Sequence, residues 1–413
     1  MFIKLELQMK RTFIILCVVI FAFKTFGQEL PNLSDSAQFS ILTCSPGEEI
    51  YSKFGHTGLR VYDKINKIDI VFNYGIFDFS GDGFIFKFIK GETDYMLGVC
   101  QTDVFLSQYW IENRSIIEQV INLTTKEKTH LYKELKTNYL PENRVYRYNF
   151  VYDNCATRPL HKTMESIDGV IQFHDNRITK SFRTWVHEYT NDISWTQFGI
   201  DLIFGKDADA VANQNESVFL PDVLSDELQS AVIIKKDCPN RKLILLKRTL
   251  LEKQNNTESI HKEIIKPLYL GIILLVLGIL VTIYGGRLRK TRKIFDCIIF
   301  ATSALTGVII LFLMIFSAHP LLGNNFNLLW LNPLNFVPAL IMWNKNLRKL
   351  LFYYHIFNVL LLTTSLVILA LGIQVLNMAS LPIILLLLLR TIKAIDRGRQ
   401  KLFKKHILNK RRW

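Results

Sequence analysis

The sequence predicts an exported α+β domain followed by an all-α membrane domain, and three observations carry the prediction. Of 413 residues, 49% are hydrophobic and only 21% charged, and mean hydropathy is positive at +0.19, which places part of the chain in lipid. The net charge of +14 is concentrated: 18 Lys and Arg against two acids, Asp296 and Asp396, lie between Arg287 and the C-terminus. Residues 28–285, by contrast, are net acidic. Basicity confined to the apolar C-terminal third follows the positive-inside rule and excludes a nucleic-acid groove. Strand-like and helix-like stretches alternate only between Gln28 and Ile265.

At the N-terminus, Lys10-Arg11 precede an apolar run, Thr12 to Phe23, and the small residues Thr25 and Gly27. This is the pattern of a secretory signal peptide, residues 1–27, cut after Gly27. Twelve apolar residues reach only about 18 Å as a helix, too short for a bilayer core of roughly 30 Å. The exported domain is therefore expected over 28–265 and the membrane domain over 266–413, with five spans near 268–284, 294–316, 330–343, 351–373 and 381–392. Five crossings put the basic segments on one side and the exported domain on the other, facing out of the cytoplasm. The approach to the third span carries His319-Pro320, Asn324-Asn325, Asn327, Asn332-Pro333 and Asn335. Polar groups and helix breakers there should face protein or water, not acyl chains.

Within the exported domain, Thr57–Tyr62 and Ile68–Tyr74 alternate as strands of a hairpin, and Phe84–Ile89 and Tyr95–Val99 read as further strands. Thr124 with Glu127 is a capping box opening a helix to Leu140, stopped by Pro141. Tyr146–Tyr152 is strand-like. Asp153-Asn154-Cys155-Ala156-Thr157-Arg158 opens another helix, and Lys253–Ser259 reads as a linker.

Cys155 is the residue with chemistry. Asp153 and Asn154 are good N-caps and Pro159 is tolerated only near a helix start, so Cys155 falls in the first turn. Unpaired amides and the helix dipole favour a thiolate there, the nucleophilic form. The alternative is a structural or disulfide-bonded cysteine, since Cys44, Cys100 and Cys238 lie in the same exported segment. Of the exported histidines, His130 reads as a solvated helix face, His161 points away from Cys155, and His174, His187 and His261 show no partner signal. His56 opens a strand between Gly55 and Gly58 and is the candidate base. No metal-ligand spacing and no Gly-rich phosphate loop is present, so neither a metal nor a cofactor is expected.

A histidine on a leading strand followed by a cysteine at a helix start resembles the circularly permuted branch of the NlpC-type, papain-like fold. More closely, FGHTGLRVYD at 54–63, VFNYGIFDF at 71–79, YDNCATRP at 152–159, FLPDVL at 219–224 and HPLLGNNFNLLWLNPL at 319–334 resemble the Lnb-type lipoprotein N-acyltransferases of diderm bacteria. The resemblance implies a membrane-bound cysteine acyltransferase. It would move an acyl chain from a membrane phospholipid, through a Cys155 thioester, to the α-amino group of a lipoprotein's lipidated N-terminal cysteine. In that reading His56 is the acid–base group and Asn73 orients its ring, with Asp69 in reserve. The Cys155 amide, with Tyr51 or Asn154, would form an oxyanion hole, and Arg60 and Arg158 either hold a lipid phosphate or pair with acids. The rival reading is a membrane-anchored NlpC-like peptidase or amidase acting on cell-wall peptide, and a third is a lipid- or peptide-binding sensor.

Overall fold

The computed structural model describes residues 32–76, 87, 90–174, 179–254, 263–285 and 289–410. The expected signal peptide, most of the expected strand Phe84–Ile89, His261 and most of the linker lie outside the described residues. In chain order the described elements are β1 (Gln38–Cys44), β2 (His56–Asp63), β3 (Ile68–Ile76), β4 (Asp94–Gln101), α1 (Thr102–Ile111), β5 (Ile116–Ile121), α2 (Thr125–Tyr139) and β6 (Val145–Arg147). They continue with α3 (Thr157–Ser166), β7 (Val170–Gln172), α4 (Phe182–Glu188), α5 (Ser194–Ile203), α6 (Gln214–Ser217), α7 (Pro221–Ser230), β8 (Val232–Ile234), β9 (Arg241–Lys242) and β10 (Ile244–Leu251). The C-terminal helices are α8 (Pro267–Tyr284), α9 (Arg289–Phe316), α10 (Phe336–Ile341), α11 (Arg348–Leu371) and α12 (Ser380–Lys410).

The chain divides into two units, one of residues 1–85, 92–178 and 213–257 and one of 86–91, 179–212 and 258–413. The first is built on a seven-stranded antiparallel sheet in the order β10-β5-β1-β2-β3-β4-β6. Period-2 alternation sends the two sets of side chains to opposite faces, and both are buried. Phe39, Ile41, Leu59, Val61, Ile70 and Phe72 meet Leu131, Leu135, Leu160, Leu224 and Leu228 of α2, α3 and α7. Leu42, Cys44, Val71 and Ile116 meet Phe105 and Tyr109 of α1 on the other face. The predicted capping box is present: the Glu127 amide donates to the Thr124 hydroxyl and the Thr124 amide to the Glu127 carboxylate.

The strand expected over Tyr146–Tyr152 ends at Arg147. Beyond it the Asn149 side chain accepts from the amides of Val151 and Tyr152, at 3.1 and 3.0 Å, a local bond that competes with the sheet ladder and turns the chain.

Among the described residues of the second unit three helices, α8, α9 and α11, are long and apolar enough to cross a membrane. The third expected span is not a spanning helix. Between α9 and α11 the chain forms short 3-10 turns and the six-residue α10, which as a helix reaches only about 9 Å. Pro320, Pro333 and Pro338 and the asparagines between them break the pattern. This segment nevertheless runs back along α9. A Cβ on Gly307 would lie 1.6 Å from the Leu331 carbonyl, Cys297 Sγ donates to the Ala339 carbonyl at 3.5 Å, and Lys293 Nζ donates to the Met342 carbonyl at 3.1 Å. Several of its side-chain amides find partners inside protein, as irregular backbone at membrane depth requires, although the buried Asn332 Oδ1 accepts no hydrogen bond from the described residues. Asn335 Nδ2 donates to Ser303 Oγ at 2.8 Å and Asn332 Nδ2 to Asn358 Oδ1 at 3.3 Å.

Residues 179–212, read from sequence as exported, pack in this second unit. Asn325 and Asn327 donate to backbone carbonyls of Leu202 and Asp201 at 2.9 and 3.0 Å. The buried Asp201 carboxylate accepts from Arg183 Nη1 and Asn377 Nδ2, each at 2.8 Å. His187 Nε2 lies 2.8 Å from the same group. Burial acts against this carboxylate's charge, and the hydrogen bonds from His187, Asn377 and Arg183 outweigh it, holding Asp201 below the usual carboxylate range. His187 thus has a partner that no local sequence pattern announced, because Asp201 lies on another helix.

Candidate active site

His56 is the first residue of β2 and Asn73 lies on the adjacent β3, whose register pairs Gly58 with Asn73. Both side chains emerge on the α1 face. There Asn73 Oδ1 lies 2.6 Å from His56 Nε2, so Nε2–H donates to the amide oxygen and Nδ1 is left for a second partner. The His56 ring lies nearly parallel to Tyr109, at 17° and 6.5 Å between centroids, with Phe105 also at 6.5 Å. Tyr109 hydrogen-bonds Cys44, and the Arg114 guanidinium sits 4.6 Å from the Tyr109 ring centre. These supporting groups were missed in the sequence, because they are ordinary helix and strand residues until the sheet stacks them.

Cys155 arrives from the opposite direction, ahead of α3. The turn before that helix is already helical in its bonding: the Arg158 amide donates to the Asn154 carbonyl at 3.1 Å. Asn154 Oδ1 accepts from the amides of Ala156 and Thr157 at 2.8 and 3.0 Å, which makes Asn154 the cap and Cys155 the first residue after it. Asn154 Nδ2 is spent on the carbonyls of Phe150 and Phe219, at 2.7 and 2.8 Å. The amide is therefore a structural cap, and the expectation that it serves an oxyanion is corrected.

The half-buried thiol and imidazole are hydrogen-bonded to each other. Burial opposes a thiolate at Cys155. The charge and hydrogen bond of His56, with the backbone N–H groups of Thr57 and of Cys155 itself, outweigh burial and bring the thiol below its ordinary range. Burial likewise opposes an imidazolium, yet Cys155 and Asn73 hold His56 above its ordinary value against the repulsion of Arg114. Gly75 (φ +101°) borders both groups: a Cβ there would lie 3.5 Å from His56 Cε1 and 3.7 Å from Cys155 Cβ. Cys44, beneath the site, is pushed far up by burial, and Cys100 to about 11. Cys44, Cys100, Cys155, Cys238 and Cys297 are all free thiols, so the disulfide alternative for Cys155 is not what the fold adopts.

The other candidates sit elsewhere. Asp69 is four residues along β3 from Asn73, about 13 Å, and its carboxylate accepts from Arg60 Nε and Nη2 at 2.8 and 2.7 Å and from Thr102. Arg60 also donates to Glu118 at 2.9 Å. Neither residue reaches the imidazole or is free for a phosphate. Arg158 forms a bidentate pair with Asp153, at 2.6 and 2.7 Å, and lies 3.6 Å from the centre of the Tyr146 ring. Tyr51 is 67% exposed, with Glu112, Glu49 and Arg114 as its charged neighbours. His130 and His174 are exposed, and His161 lines a separate cleft of about 340 Å³ with Arg158, Lys162 and Glu165.

A cysteine–histidine pair on a sheet, followed by apolar helices, matches two family descriptions in the same order. Residues 31–188 match the Lnb N-terminal periplasmic domain and residues 259–400 the Lnb transmembrane domain. The chain belongs to the Lnb family. It is accordingly a membrane protein with a periplasmic domain, and membership points to an enzymatic role. No curated protein and no solved structure matches it.

Proposed function

We propose that this protein is a thiol-dependent N-acyltransferase of the bacterial inner membrane, built on a permuted NlpC-type domain. It takes an acyl chain from a membrane phospholipid and places it on the α-amino group of a lipoprotein's N-terminal diacylglyceryl-cysteine. The observation that carries the reading is the Cys155–His56 pair, thiol lowered and imidazole raised, with the ring tethered by Asn73.

The Cys155 thiolate attacks the ester carbonyl, and the imidazolium of His56 gives its proton to the departing glyceryl oxygen, leaving a thioester. The acceptor amine then attacks the thioester, His56 takes the amine proton, and the amide forms as the thiolate leaves. With Asn154 committed to its cap, oxyanion stabilisation falls to the Cys155 backbone N–H at the helix start. The helices of the second unit suit substrates that both reside in lipid, which a single tether for a cell-wall peptidase would not need. We count five crossings in that unit, the third made by the irregular segment along α9.

The test is to incubate purified full-length protein with acyl-labelled phospholipid and analyse the Cys155 peptide by mass, then add a diacylglyceryl peptide acceptor. Labelled acyl on Cys155 and then on the acceptor amine is expected. Label arriving only from the acceptor's own glyceryl esters would change the donor while keeping the thioester. Turnover with no thioester, or release of cell-wall peptide instead, would overturn the proposal.

A further inference from the structure

The sheet has two ends, and three features share one of them. His56 opens β2 opposite Cys44 of β1, Cys44 pairs with Ile116 of β5, and Ile116 pairs with Leu251 of β10. At this end the chain leaves the domain: the Gln254 amide donates to Asn113 Oδ1 at 2.7 Å, and Asn113 Nδ2 donates back to the Gln254 carbonyl at 3.3 Å. The first membrane helix begins at Pro267, thirteen residues later, so the connection spans at most about 45 Å.

Helix α1 starts at the other end, where Thr102 contacts Asp69, and runs toward His56. Its inner side, Phe105 and Tyr109, packs under the imidazole. Its outer side exposes Val104 (48%), Trp110 (58%) and Ile111 (64%) among the polar Asp103, Ser107 and Gln108, with Tyr51 at 67% on the turn nearby. Glu112, next in the chain, is neutralised by Arg114 at 2.7 Å. Exposed Trp and Ile at the end of a surface helix, with an exposed Tyr on the nearby turn, are side chains that settle at the lipid–water boundary.

We infer that Val104, Trp110, Ile111 and Tyr51 form a bilayer-docking surface that seats the active-site end of the sheet on the lipid headgroup layer. The occupant is lipid because the chain exits beside this patch, through Asn113 and Gln254, on a short connection to a membrane helix. The inference deepens the acyltransferase reading in one respect, since it brings Cys155 to its lipid substrate, but the surface itself is independent of the reaction.

The full-length protein is reconstituted in phosphatidylethanolamine nanodiscs containing a phosphatidylcholine with a photoactivatable diazirine acyl chain. After illumination, lipid adducts are expected on the peptide covering Val104–Ile111 and not on Ile65, which is 68% exposed in the β2–β3 turn at the far end. Adducts confined to helices between Pro267 and Ile392, or equal at Ile65, would overturn the inference. In a second arm, Trp110→Ser with Ile111→Ser is expected to raise KM for vesicle-borne donor about tenfold with kcat unchanged. Iodoacetamide alkylation of Cys155 should remain at the wild-type rate. An unchanged KM overturns the inference, as does a patch found covered by a second copy, seen as an oligomer that Trp110→Ser dissociates while lipid adducts are missing. The photolabelling arm reads even if no acyl transfer is detected, so failure of the reaction and failure of the docking surface are told apart.

Discussion

At the scale of single residues, the charge state of Cys155 follows from His56, and His56 from Asn73. The thiol sits below its ordinary value and the imidazole above, because the charge and hydrogen bond of each favour the charged form of the other. As pH falls through the lowered thiol value, Cys155 protonates and its alkylation slows. As pH rises through the raised imidazole value, His56 loses its proton and its charge no longer supports the thiolate. Iodoacetamide should therefore alkylate Cys155 at pH values where an ordinary cysteine is inert, and His56→Ala should move that profile upward. A profile unchanged by His56→Ala would contradict the pairing. Asn73→Ala removes one buried hydrogen bond to a charged ring, worth about 1.5–3 kcal/mol, so kcat should fall roughly 10–100-fold, with Asn73→Asp rescuing part of it. Of these residues, the cysteine and histidine were legible from helix-start chemistry and flanking glycines. Asn73 was the first choice in sequence and Asp69 the reserve, both being on one face of one strand; the distance along β3 separates them.

Elements position those residues by geometry that tolerates little change. Gly75 holds φ +101° at the edge of the site, where a side chain costs about 1–3 kcal/mol. Gly75→Ala should lower thermal stability by a few degrees and slow Cys155 alkylation together; a drop in only the first would detach this bend from the pair. In the second unit, Gly307 presses its Cα against the Leu331 backbone, where a Cβ would lie 1.6 Å from the carbonyl oxygen. Gly307→Ala should therefore displace the irregular segment and reduce folded yield sharply, measured by size-exclusion in detergent. The capping box and the β2–β3 hairpin were readable because capping and turn chemistry are local. The shortened strand after Arg147 was not, since alternation alone cannot reveal that Asn149 diverts the ladder.

For the whole molecule, the number of crossings turns on the segment between α9 and α11. If it crosses alongside α9, the basic turn Lys345–Lys349 faces the cytoplasm; if it does not, that turn faces out. Asn346 is exposed in this turn, so Asn346→Cys should resist a membrane-impermeant maleimide in intact spheroplasts and react after lysis. Labelling before lysis would reduce the count. The assignment of residues 179–212 to the helical unit belongs to this scale too. Their link runs through Asn325, Asn327 and Gln374 to backbone carbonyls of Asp201, Leu202 and Phe204. Partners more than a hundred positions apart leave no periodicity for a reader to find.

Composition, charge placement and local motifs were enough to predict an α+β part, a membrane part with its basic residues gathered in it, and the pairing of a cysteine with a distant histidine. Each depends on properties of contiguous residues: hydropathy over a window, a cap beside a thiol, a basic cluster after an apolar run. Folding decided which asparagine meets the imidazole, that Arg60 and Arg158 are spent on carboxylates, and that Asn154 is a cap. It also decided that the third apolar run returns along its neighbour as turns. Those outcomes are competitions among polar groups for partners brought close only by the sheet and by helix packing, and a hydrogen bond is decided by distance in space, not by separation along the chain.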